Sequence, residues 1–428
     1  MRRTKRSTAI ASAFVALAMI AAACGGDDEA APAPEPTPAP APAPEEPGDP
    51  IAIGALHPLT GGLAQDGIAM DEAAQMAVDD INAAGGIKSL AGTELTLISA
   101  DSQGSPDVGA TEAQRMIDEG VVAIIGAYQS AVSINVAALA ERSGVPFVID
   151  VTVADAVITD ESRYTFRIQP NATDNGVFGV QALVEMAELA GVEISTVAHL
   201  YDQSGFGTSI HDALAAEAEV LGIEIVEKIT YNPFDVSDLT TELARVEASG
   251  ADALINTGYY GDGVLVARGL NEVRPDNLKV VFGVASGAFD VDEFPSDVDG
   301  AGEYFFNSNY HYDATSARVQ DIRARYEERF GKPMRTAGVL AYQAIEVIAQ
   351  GLESAGSADR DALRDGISGV VIDDPLVATS GPIQFDESGE NINARPIVMQ
   401  VLDGNIRQVY PVNFKEADFV FGQVPWRD

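Results

Sequence analysis

Six loops contain most of the side chains in this sequence that could recognise a small molecule. Each loop follows an apolar run that predicts a β-strand, and glycine and small polar residues recur in all six. Open α/β sheets bind small ligands at the carboxyl ends of their strands, so these loops form the candidate site. The loops are HPLTGGLAQDG (57–67), AYQSAVS (127–133), DVTVAD (150–155), YDQSGFG (201–207), GYYGDG (258–263) and GVASGAF (283–289).

Ser130 has the clearest chemistry in these loops. It lies where a predicted helix over 130–143 begins, and the free N–H groups of a helix N-terminus attract carboxylates. Its hydroxyl and the neighbouring N–H groups could therefore hold an anionic group of a ligand. The same position suits an ordinary N-cap serine, and spacing alone favours that structural role.

Motifs for catalysis and cofactor binding are missing from the sequence. It contains no GxSxG nucleophile elbow and no GxxxxGK[ST] phosphate loop. Gly261-Asp262-Gly263 lacks the third glycine of a dinucleotide-binding loop. We therefore predict a protein that is not an enzyme, with no catalytic residue, no cofactor and no metal site. The histidines, which show no metal-ligand spacing, are His57, His199, His211 and His311.

Charge is the strongest deviation in the composition. The 428 residues include 65 Asp and Glu against 26 Lys and Arg, which gives a formal net charge of −39. Such a surface repels polyanions, so nucleic acid and anionic lipid headgroups are not expected partners. The 46% apolar content suffices for a large core, and a single cysteine excludes an internal disulfide framework.

The N-terminus predicts export and a lipid anchor. Basic residues precede an apolar run at 8–23 that is short for a membrane span, which predicts a signal peptide over 1–23. The string AAACGG resembles a bacterial lipobox, so Cys24 is the expected lipidation site, although an aliphatic residue is usual where Ala21 stands. The alternative is a plain secretory signal with an incidental cysteine. Residues 24–50, rich in Pro and Ala, predict an extended tether to the outer face of the cell membrane.

Strand and helix patterns alternate from residue 51 onward. Apolar runs such as IAIGAL (51–56), VVAIIGA (121–127) and ADALINT (251–257) are typical of strands in a parallel sheet covered on both faces. Two consecutive series of this kind predict an α/β fold with two doubly wound, Rossmann-like lobes. The end of the sequence, PIVMQVLDGNIRQVYPV (396–412), predicts two strands around an Asp403-Gly404 turn.

Four strings in the sequence carry a family resemblance: IGALHPLTGGLAQDGIAMDEAAQMAVDDINAAGGI (53–87), AIIGAYQSAVSINVAALAERSGVPFVI (123–149), HLYDQSGFGTS (199–209) and GPIQFDESGENINARPIVMQVLDG (381–404). They resemble the type I periplasmic binding proteins, closest to the branched-chain amino-acid-binding (leucine/isoleucine/valine) family of ABC importers. The resemblance spans nearly all of residues 51–412. It implies two lobes joined by three crossings, with a ligand cleft that closes by hinge motion.

The resemblance also implies domain boundaries and partners. We expect the first lobe to comprise 51–170 and 301–380, and the second lobe to comprise 171–300 and 381–415. The implied partners are a small solute and an ABC permease with its ATPase subunits, and the expected state is a monomer.

One set of matching residues is expected around the carboxylate of a ligand. Ser130 matches the family serine that holds this group, and Gln129 precedes it. Val151 and Val153 fall where the family uses small residues and a threonine beside the same carboxylate. Thr152 lies one position away and is a candidate substitute.

The rest of the expected site includes two departures from the family. Phe206 and Tyr259 match aromatic residues that the second lobe lays over the ligand, although Tyr259 could equally be a packing residue. Asp66 stands where the amino-acid binders often have an aromatic, and Ala285 stands where they often have a glutamate that pairs with the α-ammonium. Because burying an unpaired charge is costly, either Asp66 or Asp150 supplies the missing negative charge or the ligand lacks an α-amine.

These patterns predict a lipid-anchored solute receptor that delivers its ligand to an ABC permease. The expected solute is a branched-chain amino acid or a related carboxylate or amide. The alternative is a ligand sensor of the same fold that signals to a membrane receptor.

Overall fold

The alternating apolar and amphipathic segments build two large β-sheets. The structure, a computed structural model, describes residues 46–427, so the predicted signal peptide, Cys24 and most of the predicted tether lie outside it. Within residues 46–427, no helix is both long and apolar enough to span a membrane. The strands of the first sheet are β1 (Ile51–His57), β2 (Leu95–Asp101), β3 (Ala123–Gly126), β4 (Phe147–Ile149) and β5 (Thr165–Arg167).

The remaining strands follow in two groups. Five consecutive strands belong to the second sheet: β6 (Thr196–Asp202), β7 (Glu224–Tyr231), β8 (Ala253–Gly258), β9 (Val280–Ser286) and β10 (Phe306–Asn309). A short antiparallel pair and a C-terminal hairpin complete the set: β11 (Val371–Ile372), β12 (Ile383–Gln384), β13 (Ile397–Leu402) and β14 (Asn405–Tyr410).

Eleven helices of the described residues pack against these sheets. They are α1 (Ala64–Ala83), α2 (Pro106–Asp118), α3 (Ser130–Ser143), α4 (Ala172–Ala190), α5 (Gly205–Leu221), α6 (Thr240–Ser249), α7 (Tyr260–Val273), α8 (Phe294–Asp297), α9 (Ala317–Phe330), α10 (Thr336–Ala355) and α11 (Arg360–Ser368).

The first sheet is parallel, with the strand order β2-β1-β3-β4-β5. Side chains alternate between the two faces of a strand, and in β1 both faces are buried. Ile53 and Ala55 pack with α1 and α10, whereas Leu56 packs with α2 and α3. Helices therefore cover both faces of this sheet, as the continuous apolar runs predicted.

The second sheet has the strand order β14-β13-β10-β9-β8-β6-β7. Its strands β6 to β10 are parallel, and β13 runs antiparallel to both β10 and β14. Val197 and Ile255 pack with α4 and α5 on one face, and Leu200 and Leu254 pack with α6 and α7 on the other. The structure thus has two doubly wound lobes, which confirms the predicted fold class.

The chain passes between the lobes three times, after β5, after β10 and before β13. The lobe boundaries differ from the predicted ones in two places. The predicted boundary at 301 placed β10 in the first lobe, but β10 pairs with β9 and β13 of the second sheet. The predicted boundary at 381 placed the next segment in the second lobe, but Ile383 and Phe385 pack in the core of the first lobe. Both assignments depend on long-range pairing, which the hydropathy of a segment does not encode.

The loop after β1 approaches α1 closely at Gly67. A Cβ atom at Gly67 would lie 2.0 Å from the carbonyl oxygen of Pro58, far inside van der Waals contact. Gly62, in the same loop, has nothing within 4 Å of its Cβ position. Glycine at 67 therefore allows the first loop of the candidate site to pack on its own helix.

The variant Gly67→Ala is expected to lower the free energy of unfolding by ~1–3 kcal/mol, because the added methyl group overpacks a buried contact. Urea unfolding followed by circular dichroism would measure this loss. Gly62→Ala serves as the matched control and should leave the unfolding midpoint nearly unchanged. Equal stability of the two variants would contradict the close approach at Gly67.

Candidate functional site

A cavity lies between the two lobes, where the carboxyl ends of strands from both sheets face each other. Its empty volume is about 350 Å³, including space open to the outside. The first lobe contributes residues that follow β3 and β4, and the second lobe contributes residues from the loops after β6, β8, β9 and β10. The lining residues are Tyr128, Ser130, Val151, Val153, Phe206, Gly258, Tyr259, Ala285, Gly287 and Tyr310.

The polar end of the cavity is formed by the start of α3. Ser130 is the first residue of this helix, and the N-cap position belongs to Gln129, so the expectation of an N-cap role for Ser130 is wrong. Ser130 is only 3% exposed, lines the cavity and has no hydrogen-bond partner for its hydroxyl within residues 46–427. The N–H groups of Ser130 and Ala131 likewise have no backbone acceptor there. This geometry leaves several donors free to meet one anionic group.

The loop after β4 places alternate side chains on opposite sides. Val151 and Val153 line the cavity. Thr152 does not line it: its hydroxyl lies 2.6 Å from the Ser133 hydroxyl and 3.3 Å from the carbonyl oxygen of Tyr128. The candidate substitution of Thr152 for the family threonine therefore fails, because its hydroxyl holds the α3 loop instead. Gln129 is buried but also lies outside the lining.

Aromatic rings form much of the remaining wall. The ring centroids of Tyr128 and Tyr259, one from each lobe, are 6.0 Å apart, and Phe206 lies 5.4 Å from Tyr259. Burial raises the pKa of Tyr259, and the nearby carboxylates of the second lobe raise this pKa further. Burial and the Asp66 charge raise the pKa of Tyr128 well above its ordinary value. The tyrosines therefore stay neutral and can act as hydrogen-bonding aromatic surfaces.

Asp66 lies behind the cavity wall rather than in it. One of its carboxylate oxygens accepts a hydrogen bond from Arg335 Nη1 at 2.7 Å, and the other accepts one from the Tyr128 hydroxyl at 3.0 Å. Arg335 is 5% exposed, and its Nε lies 3.4 Å from Glu293 of the second lobe. Burial alone would lower the pKa of Arg335, but the charge and hydrogen bond of Asp66 raise it overall. Asp66 thus anchors a cation and a cavity-lining tyrosine, and it is already neutralised.

Asp150 is also fully engaged. Its Oδ2 lies 2.9 Å from His57 Nε2, and its Oδ1 accepts a hydrogen bond from the Val151 N–H at 2.8 Å. Both side chains of the pair are completely buried. Neither of the two carboxylates that the sequence offered as a partner for an α-ammonium is therefore free.

Four lining residues were not among the predicted site residues: Tyr128, Gly258, Gly287 and Tyr310. Three of them lie in the loops that sequence analysis had singled out, where glycine and aromatic residues gave a usable signal. Tyr310 follows β10 and enters the cavity only because β10 belongs to the second sheet. Within residues 46–427, no three potential metal ligands of the His, Cys, Asp and Glu types come together.

Comparisons with known proteins agree with this architecture. The family described as periplasmic binding protein matches residues 50–405. The Leu/Ile/Val-binding protein homolog 8 of Brucella abortus is 29% identical over 388 residues, which cover 87% of this chain and 93% of that protein.

Two solved structures share the fold. A leucine-binding protein from Thermotoga maritima has a TM-score of 0.72 at 23% identity, over 84% of this chain and 98% of that one. A solute-binding protein of Rhodopseudomonas palustris in complex with 3,4-dihydroxybenzoic acid has a TM-score of 0.72 at 22% identity, over 88% of this chain and 98% of that one. The family match over most of its length shows that the chain belongs to the periplasmic binding proteins, with the type I architecture of two doubly wound lobes joined by three crossings.

Proposed function

We propose that this protein captures a small solute between its lobes outside the cytoplasm and delivers it to an ABC permease with its ATPase subunits. The observation that carries the proposal is the interlobe cavity, whose wall is divided between the two lobes. A ligand held there gains contacts with both halves only when they close, so binding and closure are coupled. The relatives support the same role, since one is named a leucine-binding protein and another holds an aromatic acid.

The proposed binding residues are Ser130, Val151, Val153, Phe206, Tyr259 and Ala285, joined by Tyr128 and Tyr310. None of the lining residues is a histidine, a carboxylate or a cation, and the nearby His57 is paired with Asp150. The Ser130 hydroxyl therefore has no general base among these residues, which supports a binding role for the cavity. The protein is proposed to act as a monomer that a lipid on Cys24 holds at the outer face of the membrane.

Closure is proposed to rest on contacts between charged side chains of opposite lobes. Arg335 reaches from the first lobe to Glu293, and its guanidinium lies 4.7 Å from the centroid of the Tyr260 ring in the second lobe. Arg323 of α9 forms a second ion pair, with Asp292. These contacts hold the observed arrangement of the lobes and would break on opening.

The purified chain should show a higher thermal unfolding temperature in the presence of its solute. A ligand that binds only the folded state adds about 2.7 kcal/mol of stability at a concentration 100 times its dissociation constant. Differential scanning fluorimetry against amino acids, aromatic acids, amides and urea is the direct measurement. If no compound in such a panel raises the unfolding temperature, the proposed receptor function is wrong.

Ser130→Ala is the control variant for this screen. It should weaken the binding of a carboxylate ligand by about 1–3 kcal/mol, because a charge-assisted hydrogen bond is lost. The primary amide of the same ligand should lose less binding free energy, and titration calorimetry can compare the two ligands. Equal affinities of wild type and variant for the carboxylate would remove Ser130 from the site.

The double variant Asp292→Asn/Glu293→Gln should weaken ligand binding roughly three- to thirty-fold, because each interlobe ion pair contributes at most about 1 kcal/mol to the closed state. Titration calorimetry would measure the affinity, and small-angle X-ray scattering would report the radius of gyration. The matched control is Asp321→Asn, which removes an ion pair with Arg325 inside α9 of the first lobe. Unchanged affinity and scattering in the double variant would contradict the closure role.

The variant Cys24→Ser should be released from membranes into the soluble fraction, since it lacks the only thiol that could carry a lipid. Cell fractionation and metabolic labelling with an alkyne fatty acid would test this expectation. The wild-type chain should be labelled and pellet with membranes. Retention of the serine variant in the membrane fraction would reject lipid anchoring at this residue.

A further inference from the structure

The start of helix α3 gives the cavity a group of hydrogen-bond donors that suits a carboxylate. Ser130 is 3% exposed and lines the cavity, and its hydroxyl has no hydrogen-bond partner within residues 46–427. The N–H groups at the start of the 14-residue helix α3 lie beside it and are also free of backbone acceptors. A carboxylate oxygen can accept from both kinds of donor, and the positive end of the helix dipole favours a negative charge.

The rest of the lining suits an apolar body. Val151, Val153 and Ala285 contribute aliphatic side chains, and Phe206 and Tyr259 contribute aromatic rings. The ring centroids of Tyr128, Phe206 and Tyr259 lie 5.4–6.0 Å from their neighbours, a spacing at which aromatic groups pack. A flat aromatic or compact branched group matches this wall.

Neither Asp66 nor Asp150 of the first lobe is free to pair with an ammonium group. Asp66 is neutralised by Arg335 and also accepts the Tyr128 hydroxyl. Asp150 is held by His57 and by the Val151 N–H. Breaking either buried pair would leave a buried cation or imidazole without its partner, which costs more than a surface ion pair would.

The nearby carboxylates of the second lobe lie outside the cavity lining. Asp202 accepts the Ser204 N–H at 2.7 Å through Oδ1, whereas its buried Oδ2 has no hydrogen-bond partner within residues 46–427. Asp262 accepts the Tyr259 N–H at 2.9 Å. Asp290 accepts the Asn309 side-chain amide at 3.0 Å. Burial raises the pKa values of Asp262 and Asp290 to about 7, so neither carries a full negative charge at neutral pH. None of the three is among the residues that line the cavity.

We infer that the solute is a monocarboxylate with a compact apolar or aromatic body and no α-ammonium group. This inference rests on the proposed function and names the chemical class of its ligand. A zwitterionic amino acid would bring its ammonium into a cavity whose lining contains no carboxylate. The deaminated analogue avoids the cost of burying that unpaired ammonium.

Matched ligand pairs test the inference on the wild-type chain. Leucine and 4-methylpentanoate share a carboxylate and a side chain and differ in the α-ammonium, as do phenylalanine and 3-phenylpropanoate; benzoate probes a compact aromatic body. By titration calorimetry, the acid of at least one pair or benzoate should bind, and each amino acid should bind at least ~100-fold more weakly than its acid, because an unpaired buried ammonium loses its hydration.

A variant pair at Ala285 gives a second, independent readout. Ala285→Glu adds a carboxylate to the cavity wall, and Ala285→Gln adds the same volume without the charge. Ala285 has a φ of +53°, and both replacements experience that backbone in the same way. The ratio of leucine to 4-methylpentanoate affinity should rise at least ~10-fold in the glutamate variant relative to the glutamine variant.

The outcomes separate this inference from the function on which it rests. Leucine binding as tightly as 4-methylpentanoate in the wild type would overturn the inference and leave the receptor function standing. If an amide or urea binds and none of the acids or amino acids does, the inference is likewise overturned and the receptor function stands. If no compound of any class binds, both the inference and the proposed function are wrong.

Discussion

The buried ion pair between Asp66 and Arg335 is the interaction on which the arrangement of the site depends. Removing two charges from water is costly, and the pair is compensated by good geometry and by a further hydrogen bond from Tyr128. It therefore fixes a lining tyrosine of the first lobe and directs an arginine toward the second lobe. It also consumes a negative charge that a zwitterionic ligand would need. One pair thus links the shape of the cavity, its electrostatics and the contact between the lobes.

The same pair shows what the sequence could not reveal. Asp66 was identified as unusual because of its position in the first loop, but its partner lies 269 residues further along the chain. No local pattern marks Arg335 at the start of α10 as the neighbour of α1. The packing of these two helices in the core of the first lobe brings the residues together. The sequence therefore marked Asp66 as a departure from the family, but only the three-dimensional structure shows that Arg335 pairs with it.

Features encoded locally were predicted well. The apolar runs became the strands of two parallel-rich sheets, and the Asp403-Gly404 turn joins β13 and β14. The loops after the strands supplied most of the cavity, because the carboxyl ends of parallel strands meet at one edge of a sheet. The sequence did not reveal that the Thr152 side chain points away from the cavity. Adjacent residues of an extended chain point to opposite sides, so a shift of one position reverses the direction of the side chain. Tyr310 was missed because its strand pairs with partners distant in sequence.

The third crossing has a consequence for how the protein is made. In the second sheet, β13 lies between β10 and β14, and it arrives only after the first lobe has received α9, α10 and α11. Until residues 397–410 are available, β10 keeps an open edge with unpaired backbone groups. The sheet of the second lobe therefore cannot be completed early in synthesis. Completion of the second lobe waits for a hairpin that follows all the helices of the first lobe in the chain.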